Sequence, residues 1–480
     1  MKRTKIVATI GPCCSSEKIL TRMVKAGMNV GRFNFSHGTH QSNLKAINNL
    51  RRVSQKLKVP IAIIQDLQGP RIRLGEISAK GMELVKNEEV ILVAASGFKS
   101  ISSVKFGKKK IIPIQYPKLT RTFALGNHLL IYDGQIDLRI RQVAVDYLTA
   151  KVIRGGYIFS HKGVNIPKID LKIPVITKKD RGDIKFGLRH KVDYLALSFA
   201  GSAKDIKNLR QLVKRYAPRS PVKIMAKIER YEAVRNIKAI IKEADCIMVA
   251  RGDLGVEVSP EKVPVIQKDI IKLCLIEGKP VLVATQMLES MIKSQRPTRA
   301  EVSDVANAVI DHADAVMLSG ETAFGQYPVE AVTVMNQIIE RTEKSTYDDL
   351  PAGYFKEKKL PVTKAIAESV FGLVQDINAK VLVAATSSGY TARMLARYRP
   401  ETKIIVFVTN TEVQRQLTLV WGVYPELMPV CRNVDDLMEK ATSLVKKRKL
   451  VRAGDKIIIV TGQPVGQEKN MNIVKVQKID

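Results

Sequence analysis

No apolar stretch in this 480-residue chain approaches the roughly 18 residues that cross a bilayer, so an embedded membrane protein is not expected. The opening segment "MKRTKIVATIGP" has neither the apolar block nor the small-residue cleavage site of a secretory leader, which points to the cytoplasm. Cysteine is scarce. Five residues, Cys13, Cys14, Cys246, Cys274 and Cys431, are odd in number, two of them are adjacent, and none has metal-ligand spacing; reduced thiols are expected. Aromatics make up only 5% of the chain, too few for a single-strand stacking surface. The basic clusters "FGKKKIIPIQYPK" and "VKKRKLVR" therefore read as solvated surface, and nucleic acid is not an expected partner. Walker-type "GxxxxGK", solenoid repeats and low-complexity tails are also missing, so any nucleotide is held in another way.

What is present is a hydrophobic content of 45%, enough for large cores in two or three domains, and a net charge of +33. That field attracts anions of every kind without selecting one. Eight short apolar runs are each closed by polar or glycine residues: "TKIVATI", "MNVGRFNF", "IAIIQD", "DYLALSF", "VKIMAKIE", "DCIMVA", "VLVAT" and "DAVML". Most precede a helix-length amphipathic pattern, such as "SSEKILTRMVKAG" or "SAKDIKNLRQLVKRY". Strands apolar on both faces and alternating with helices predict a closed parallel (β/α)8 barrel of the TIM type. Between Asp66 and about residue 175 the pattern becomes short alternating strands, an inserted all-β domain. After the polar linker "YDDLPAGYFKEKKLPVT" a separate open α/β domain is expected, with strands at "KVLVAAT", "TKIIVFVT", "DKIIIVTG" and "NIVKVQKI". The expected units are 1–67 and 166–345 for the barrel, 68–165 for the insertion and 346–480 for the C-terminal domain.

Barrel chemistry sits at the carboxyl ends of the strands, and here those ends are polar. The second run ends on Arg32, Asn34 and Ser36, the third on Asp66, and the fourth offers Ser198. The fifth gives Lys227 and Glu229, the sixth Arg251 and Asp253 in "RGDLG", and the seventh Thr285. Each has a plain structural explanation: an Arg32–Asp66 ion pair, hydroxyls satisfying loop backbone, "RGDLG" as a turn, Lys227 as a simple salt bridge. Their convergence on one mouth favours a site. Glu229 and Asp253, on neighbouring strands with no His or Cys nearby, suit a hard divalent ion that keeps several waters, Mg²⁺ or Mn²⁺. Lys227 would add a second positive charge, so a carboxylate, phosphate or developing enolate oxygen is stabilised from two sides. Arg32 adds a donor fork suited to a phosphoryl group, and Thr285 a hydroxyl.

The blocks "TKIVATIGP", "GMNVGRFNFSHG", "KIE", "MVARGDLGVE", "ATQMLESM" and "RPTRAEVSDVANAVIDHADAVMLSGETAFGQYPVEAV" closely resemble the pyruvate kinase family, over essentially the whole chain. That resemblance implies phosphoryl transfer from phosphoenolpyruvate to ADP, giving pyruvate and ATP, with the β domain closing over the barrel mouth. It puts Glu229 and Asp253 on Mg²⁺, and Lys227, Arg32 and Thr285 at the chemistry. Gly252, with Asp253 and Ser198, falls toward phosphoenolpyruvate, and Asn34, His37, Arg73 and Lys162 toward the nucleotide. It also implies a homotetramer.

Family members that need K⁺ typically read Asp-Thr-Lys-Gly-Pro-Glu where this chain has "DLQGPR", with Leu67, Gln68 and Arg71 in place of Thr, Lys and Glu. The K⁺ pocket would use Asn34, Ser36, Asp66 and the carbonyl of Leu67. Arg71 brings a fixed cation to that region, so K⁺ is not expected to be required. "ATSSGYTARMLARYRP" resembles the family's effector loop, with Thr386, Ser387, Ser388, Gly389 and Thr391 cupping a phosphorylated activator; the plain alternative is a Ser/Thr helix cap. "GQPVGQEKNMN" departs from the second side of that pocket, so the activator stays unnamed. Two other functions fit parts of the pattern: an aldolase or lyase that stabilises a pyruvate enolate on Mg²⁺, against which Arg73 in the insertion argues, and a catalytically dead barrel binding RNA or membrane, against which intact Lys227, Glu229 and Asp253 argue.

Overall fold

Each of the eight apolar runs forms a strand, and the strands close on one another. The computed structural model describes residues 2–96, 106–132, 134–167, 169, 173–350, 354–355, 360–463 and 470–480. The barrel strands are Lys5–Thr9, Val30–Asn34, Ala62–Asp66, Tyr194–Leu197, Lys223–Ile228, Cys246–Ala250, Val281–Ala284 and Ala315–Leu318, joined edge to edge in one closed parallel ring. Nearly every strand residue is buried, because the lumen takes one face and the helical shell the other. The lumen is packed, with Val7, Val30, Ile64, Met225, Met248 and Met317 in one cluster, so the barrel is a core rather than a channel.

Local chemistry sets where the helices start and stop. Ser16 accepts from the backbone of Ile19 at the head of helix Glu17–Ala26, and Gly27 closes it with a left-handed φ of 118° that a Cβ would resist. Reciprocal capping boxes open helices His40–Leu57 (Thr39 with Ser42), Lys178–Arg189 (Thr177 with Asp180) and Arg299–Ile310 (Thr298 with Glu301).

The insertion builds a seven-stranded sheet in the order Ile72–Arg73, Gly163–Asn165, His128–Ile131, Ile136–Val143, Tyr147–Arg154, Glu89–Ala94, Ile111–Ile114. An antiparallel bridge from Leu74 to Ile114 brings its two edges together around a separate apolar core. The C-terminal domain has five strands, in the order Val423–Leu427, Lys403–Val408, Val381–Ala385, Lys456–Thr461, Ile473–Lys478, with only the last pair antiparallel. The sequence pattern marks four of these; the fifth, Val423–Leu427, contains Pro425, which the sheet tolerates because this strand is an edge. Among the described residues no helix is long and apolar enough to cross a membrane.

Candidate active site at the barrel mouth

The carboxyl ends of the strands surround a cavity of about 750 Å³. Arg32, Asn34, Ser36, His37, Arg71, Ser198, Lys227, Glu229, Asp253 and Thr285 all line it, so the structure brings together residues drawn from positions 32 to 285. Two of the expected nucleotide contacts stand apart in the inserted domain. Arg73 donates to the carbonyl of His161 at 2.8 Å, and the Lys162 ammonium sits 5.6 Å above the Tyr132 ring.

At the centre is Lys227, only 8% exposed. Its Nζ lies 2.7 Å from Glu229 Oε1 and 3.2 Å from Asp66 Oδ1, and donates to Ser198 Oγ at 2.7 Å. Strand alternation explains the first contact, since Lys227 and Glu229 project on the same side at the end of the fifth strand. Burial disfavours the Lys227 ammonium, but Asp66 and Glu229 outweigh it and hold its pKa above the ordinary lysine value. Asp66 faces the same burial penalty; Lys227 and Arg32 overcome it and keep its carboxyl below the usual range. For Glu229 burial wins, aided by the nearby Asp253 charge, and its pKa stands above that of a free carboxylate.

Asp66 is the hub beneath the cavity. Its Oδ2 takes Arg32 through Nε at 2.8 Å and through a second guanidinium nitrogen at 2.6 Å, a two-pronged grip that fixes the arginine. Arg32 also donates to Thr9 Oγ1 at 2.9 Å. Thr9 carries no separate signal in the sequence, because it lies inside the apolar run and only the strand boundary, Lys5–Thr9, puts it at the mouth. The backbone N–H of Phe199 donates to Glu229 Oε2 at 2.6 Å, with Phe199 at a left-handed φ of 57°. Glu229 Oε1 has no aligned hydrogen bond despite its closeness to Lys227.

"RGDLG" is not a turn: Arg251–Glu257 is a short helix, with Asp253 in its first turn. Arg251 does not line the cavity. It donates to Asp304 at 2.6 Å and to the Thr285 carbonyl at 2.7 Å, pinning the loop after the seventh strand. Thr285 and Gln286 both have left-handed φ values, 72° and 55°, which costs a β-branched residue of order 1–3 kcal/mol and persists only where the surroundings enforce it. The Thr285 hydroxyl accepts from the Gly252 N–H at 2.9 Å.

The residues expected to bind K⁺ are largely committed to one another. Ser198 donates to the Leu67 carbonyl at 2.7 Å, Asn34 Oδ1 accepts from the Ser36 N–H at 3.1 Å, and Asp66 holds its cations. Arg71 makes its ion pair with Asp253, at 3.7 Å. In the C-terminal domain the helix Tyr390–Ala396 is capped by Gly389 in a left-handed conformation, not by Ser or Thr. Thr386 accepts the Gly389 N–H at 3.0 Å, Ser387 is exposed and Thr391 is buried. Part of "GQPVGQEKNMN", residues 464–469, lies outside the described residues.

Comparison with known proteins gives one answer throughout. Residues 1–332 match the family model described as pyruvate kinase, barrel domain, and residues 364–477 that described as pyruvate kinase, alpha/beta domain. Pyruvate kinases of Geobacillus stearothermophilus and Lactobacillus delbrueckii subsp. bulgaricus are each 42% identical over the whole of this chain, which spans 80% and 81% of their lengths. A crystal structure of a pyruvate kinase from Cryptosporidium parvum superposes with a TM-score of 0.91 at 35% identity, over 99% of this chain and 96% of that one. With both family models, full-length relatives and a matching solved fold in agreement, this chain belongs to the pyruvate kinase family of phosphotransferases.

Proposed function

We propose that the chain transfers the phosphoryl group of phosphoenolpyruvate to ADP, breaking the enol O–P bond while a β-phosphate oxygen of ADP forms the new one. The observation that carries this reading is the convergence of Lys227, Arg32 and two carboxylates, Glu229 and Asp253, on one cavity. Such a transfer needs positioning and charge neutralisation more than covalent help from the protein.

The donor set fits Mg²⁺, or Mn²⁺ in its place. Among the described residues no group of three or more His, Cys, Asp or Glu side chains is disposed around a metal. Two carboxylates, one with an oxygen lacking an aligned donor, match an ion that fills its remaining positions with water and substrate oxygens. Bound there, the ion would supply Lewis-acid neutralisation of substrate oxygens. Lys227, kept charged by its carboxylate neighbours, stabilises the enolate oxygen as negative charge develops on it. Arg32, locked by Asp66, presents its remaining donors to the phosphoryl group, and Thr285 holds the Gly252 amide beside the substrate. Asn34 and His37 at the mouth, with Arg73 and Lys162 on the inserted domain, receive the nucleotide when that domain closes.

The same reading extends to finer points. Residues 1–67 and 166–345 act as the catalytic barrel, 68–165 as its lid and 346–480 as a regulatory unit. Four such chains form a homotetramer in the cytoplasm, and a phosphorylated metabolite binding at Thr386, Ser387, Ser388, Gly389 and Thr391 activates it. Arg71, a fixed cation on the cavity wall beside Asp253, takes over the charge-screening role of a monovalent ion, so K⁺ is dispensable. The test is a coupled assay of pyruvate formation from phosphoenolpyruvate and ADP, balanced with tetramethylammonium. Omitting Mg²⁺ should abolish turnover, and omitting K⁺ should leave it. No pyruvate under any condition overturns the activity, whereas a strict need for K⁺ overturns only the role of Arg71.

A further inference from the structure

The first barrel strand ends in a tight turn that carries the adjacent pair Cys13 and Cys14, which the phosphoryl-transfer chemistry does not use. Their two thiols influence each other's ionisation. Cys13 is partly exposed and donates to the Thr322 carbonyl at 3.0 Å; Cys14 is buried, its sulfur 3.4 Å from the Gly11 N–H. The neighbouring Cys14 thiol draws the Cys13 pKa below the ordinary thiol value, whereas burial pushes Cys246, Cys274 and Cys431 upward. A lowered pKa and access coincide at Cys13.

This turn is also a wall of the catalytic cavity. Gly11 and Pro12 before the pair and Ser15 after it line the cavity, and Thr9, four residues before Cys13, anchors Arg32. The segment after the eighth strand, next to the first in the barrel, braces the turn: the Thr322 hydroxyl donates to the Thr9 carbonyl at 2.8 Å, and a Cβ on Gly11 would collide with the Ala323 carbonyl. A change of shape at residues 13 and 14 therefore has little room to stay local.

We propose that Cys13 and Cys14 are a peroxide-responsive dithiol that reversibly deforms the substrate cavity. The Cys13 thiolate attacks a hydroperoxide oxygen and breaks the O–O bond, becoming a sulfenic acid while the other oxygen leaves, protonated, as water or an alcohol. The Cys14 thiol then attacks the Cys13 sulfur, forms the S–S bond and expels the hydroxyl, with the thiol proton, as water. The pair gives up two electrons and the peroxide takes them. Neighbouring Cα atoms stand about 3.8 Å apart, nearer than the roughly 4.4–6.8 Å of ordinary disulfides, so ring closure requires the turn to move. A bond strained in this way is readily reduced, which makes the change reversible.

The effect on turnover rests on the phosphoenolpyruvate reading of the cavity; the chemistry at the sulfurs does not. Purified protein is treated with hydrogen peroxide, then split into a peptide-mass arm and a pyruvate-formation arm. The tryptic peptide of residues 6–18 should lose about 2 Da, activity should fall several-fold, and dithiothreitol should restore both. Cys13→Ser should keep basal activity and resist peroxide, while Cys14→Ala, which has no resolving thiol, should show no 2 Da loss and should pass at Cys13 to the sulfinic or sulfonic acid, an oxygen gain that dithiothreitol does not remove. Oxygen added to the wild-type peptide without the 2 Da loss overturns the disulfide, as does an unchanged mass. The mass loss with full activity overturns the link to the cavity. Should either variant fail to fold, the wild-type mass and its reversal decide.

Discussion

At the scale of single residues, the site depends on a balance in which Lys227 stays charged because Asp66 and Glu229 together exceed the cost of burying it. Lys227→Met removes a charge that acts chiefly in the transition state, so turnover should fall by several powers of ten while Mn²⁺ binding, followed by paramagnetic resonance, is nearly unchanged. Unaltered turnover would remove Lys227 from the chemistry. Glu229 gives a second prediction. Burial raises its pKa above that of a free carboxylate, so on acidification it takes up a proton earlier than an exposed glutamate. Mg²⁺ needs the ionised form, so its apparent affinity should rise with pH through that raised pKa and level off above it. Glu229→Gln should bind Mg²⁺ at least tenfold more weakly and lose this acid limb. An acid limb that survives the substitution would assign it to another group.

At the scale of elements, strand periodicity made the barrel legible, because all eight runs carry apolar side chains on both faces and polar or glycine residues gather at their carboxyl ends. The same rule exposed most of the mouth, since the residue that closes each run is placed by the strand itself. What escaped depends on context that no short pattern records. Val423–Leu427 is a strand in spite of Pro425, only because its sheet ends there. "RGDLG" has the composition of a turn, yet Arg251 anchors it as a helix by reaching Asp304 and the Thr285 carbonyl on other elements. Gly389 replaced a hydroxyl residue as the cap because the Thr386 side chain closes the turn from three residues upstream. The Arg251 tether is itself testable. Arg251→Met frees the left-handed Thr285 loop without emptying the barrel core, so kcat/KM for phosphoenolpyruvate should fall by about 10–100-fold. Far-ultraviolet circular dichroism should be unchanged, and a variant with native kcat/KM would show that the loop holds its shape unaided.

Across the whole molecule, the net charge of +33 was plain in the sequence, but where its cations are buried was not. Lys5 begins the first barrel strand, and its Nζ reaches over to the C-terminal domain, donating to the Val423 carbonyl at 2.8 Å and lying 4.6 Å from the Tyr424 ring. Burial, reinforced by Lys2, lowers its pKa to about 7 against weaker support from Glu343 and Asp314. In the unfolded chain the same amine titrates near 10.4. Between these values the unfolded state binds a proton that the folded state does not, so stability rises with pH, by up to about 1.4 kcal/mol per pH unit for one proton. Below about 7 both states are protonated and the cost of the buried charge is constant. Tyr424 works in the opposite sense, since burial raises its pKa and the unfolded phenol ionises first, near 10. The informative window is therefore pH 7 to 9.5. Lys5→Met should unfold at a higher temperature than the parent at pH 7, and that advantage should shrink steadily toward pH 9.5 as the parent sheds its buried proton. Parallel pH profiles for the two proteins would mean that Lys5 keeps its charge at the domain junction, held there by Glu343 and Asp314.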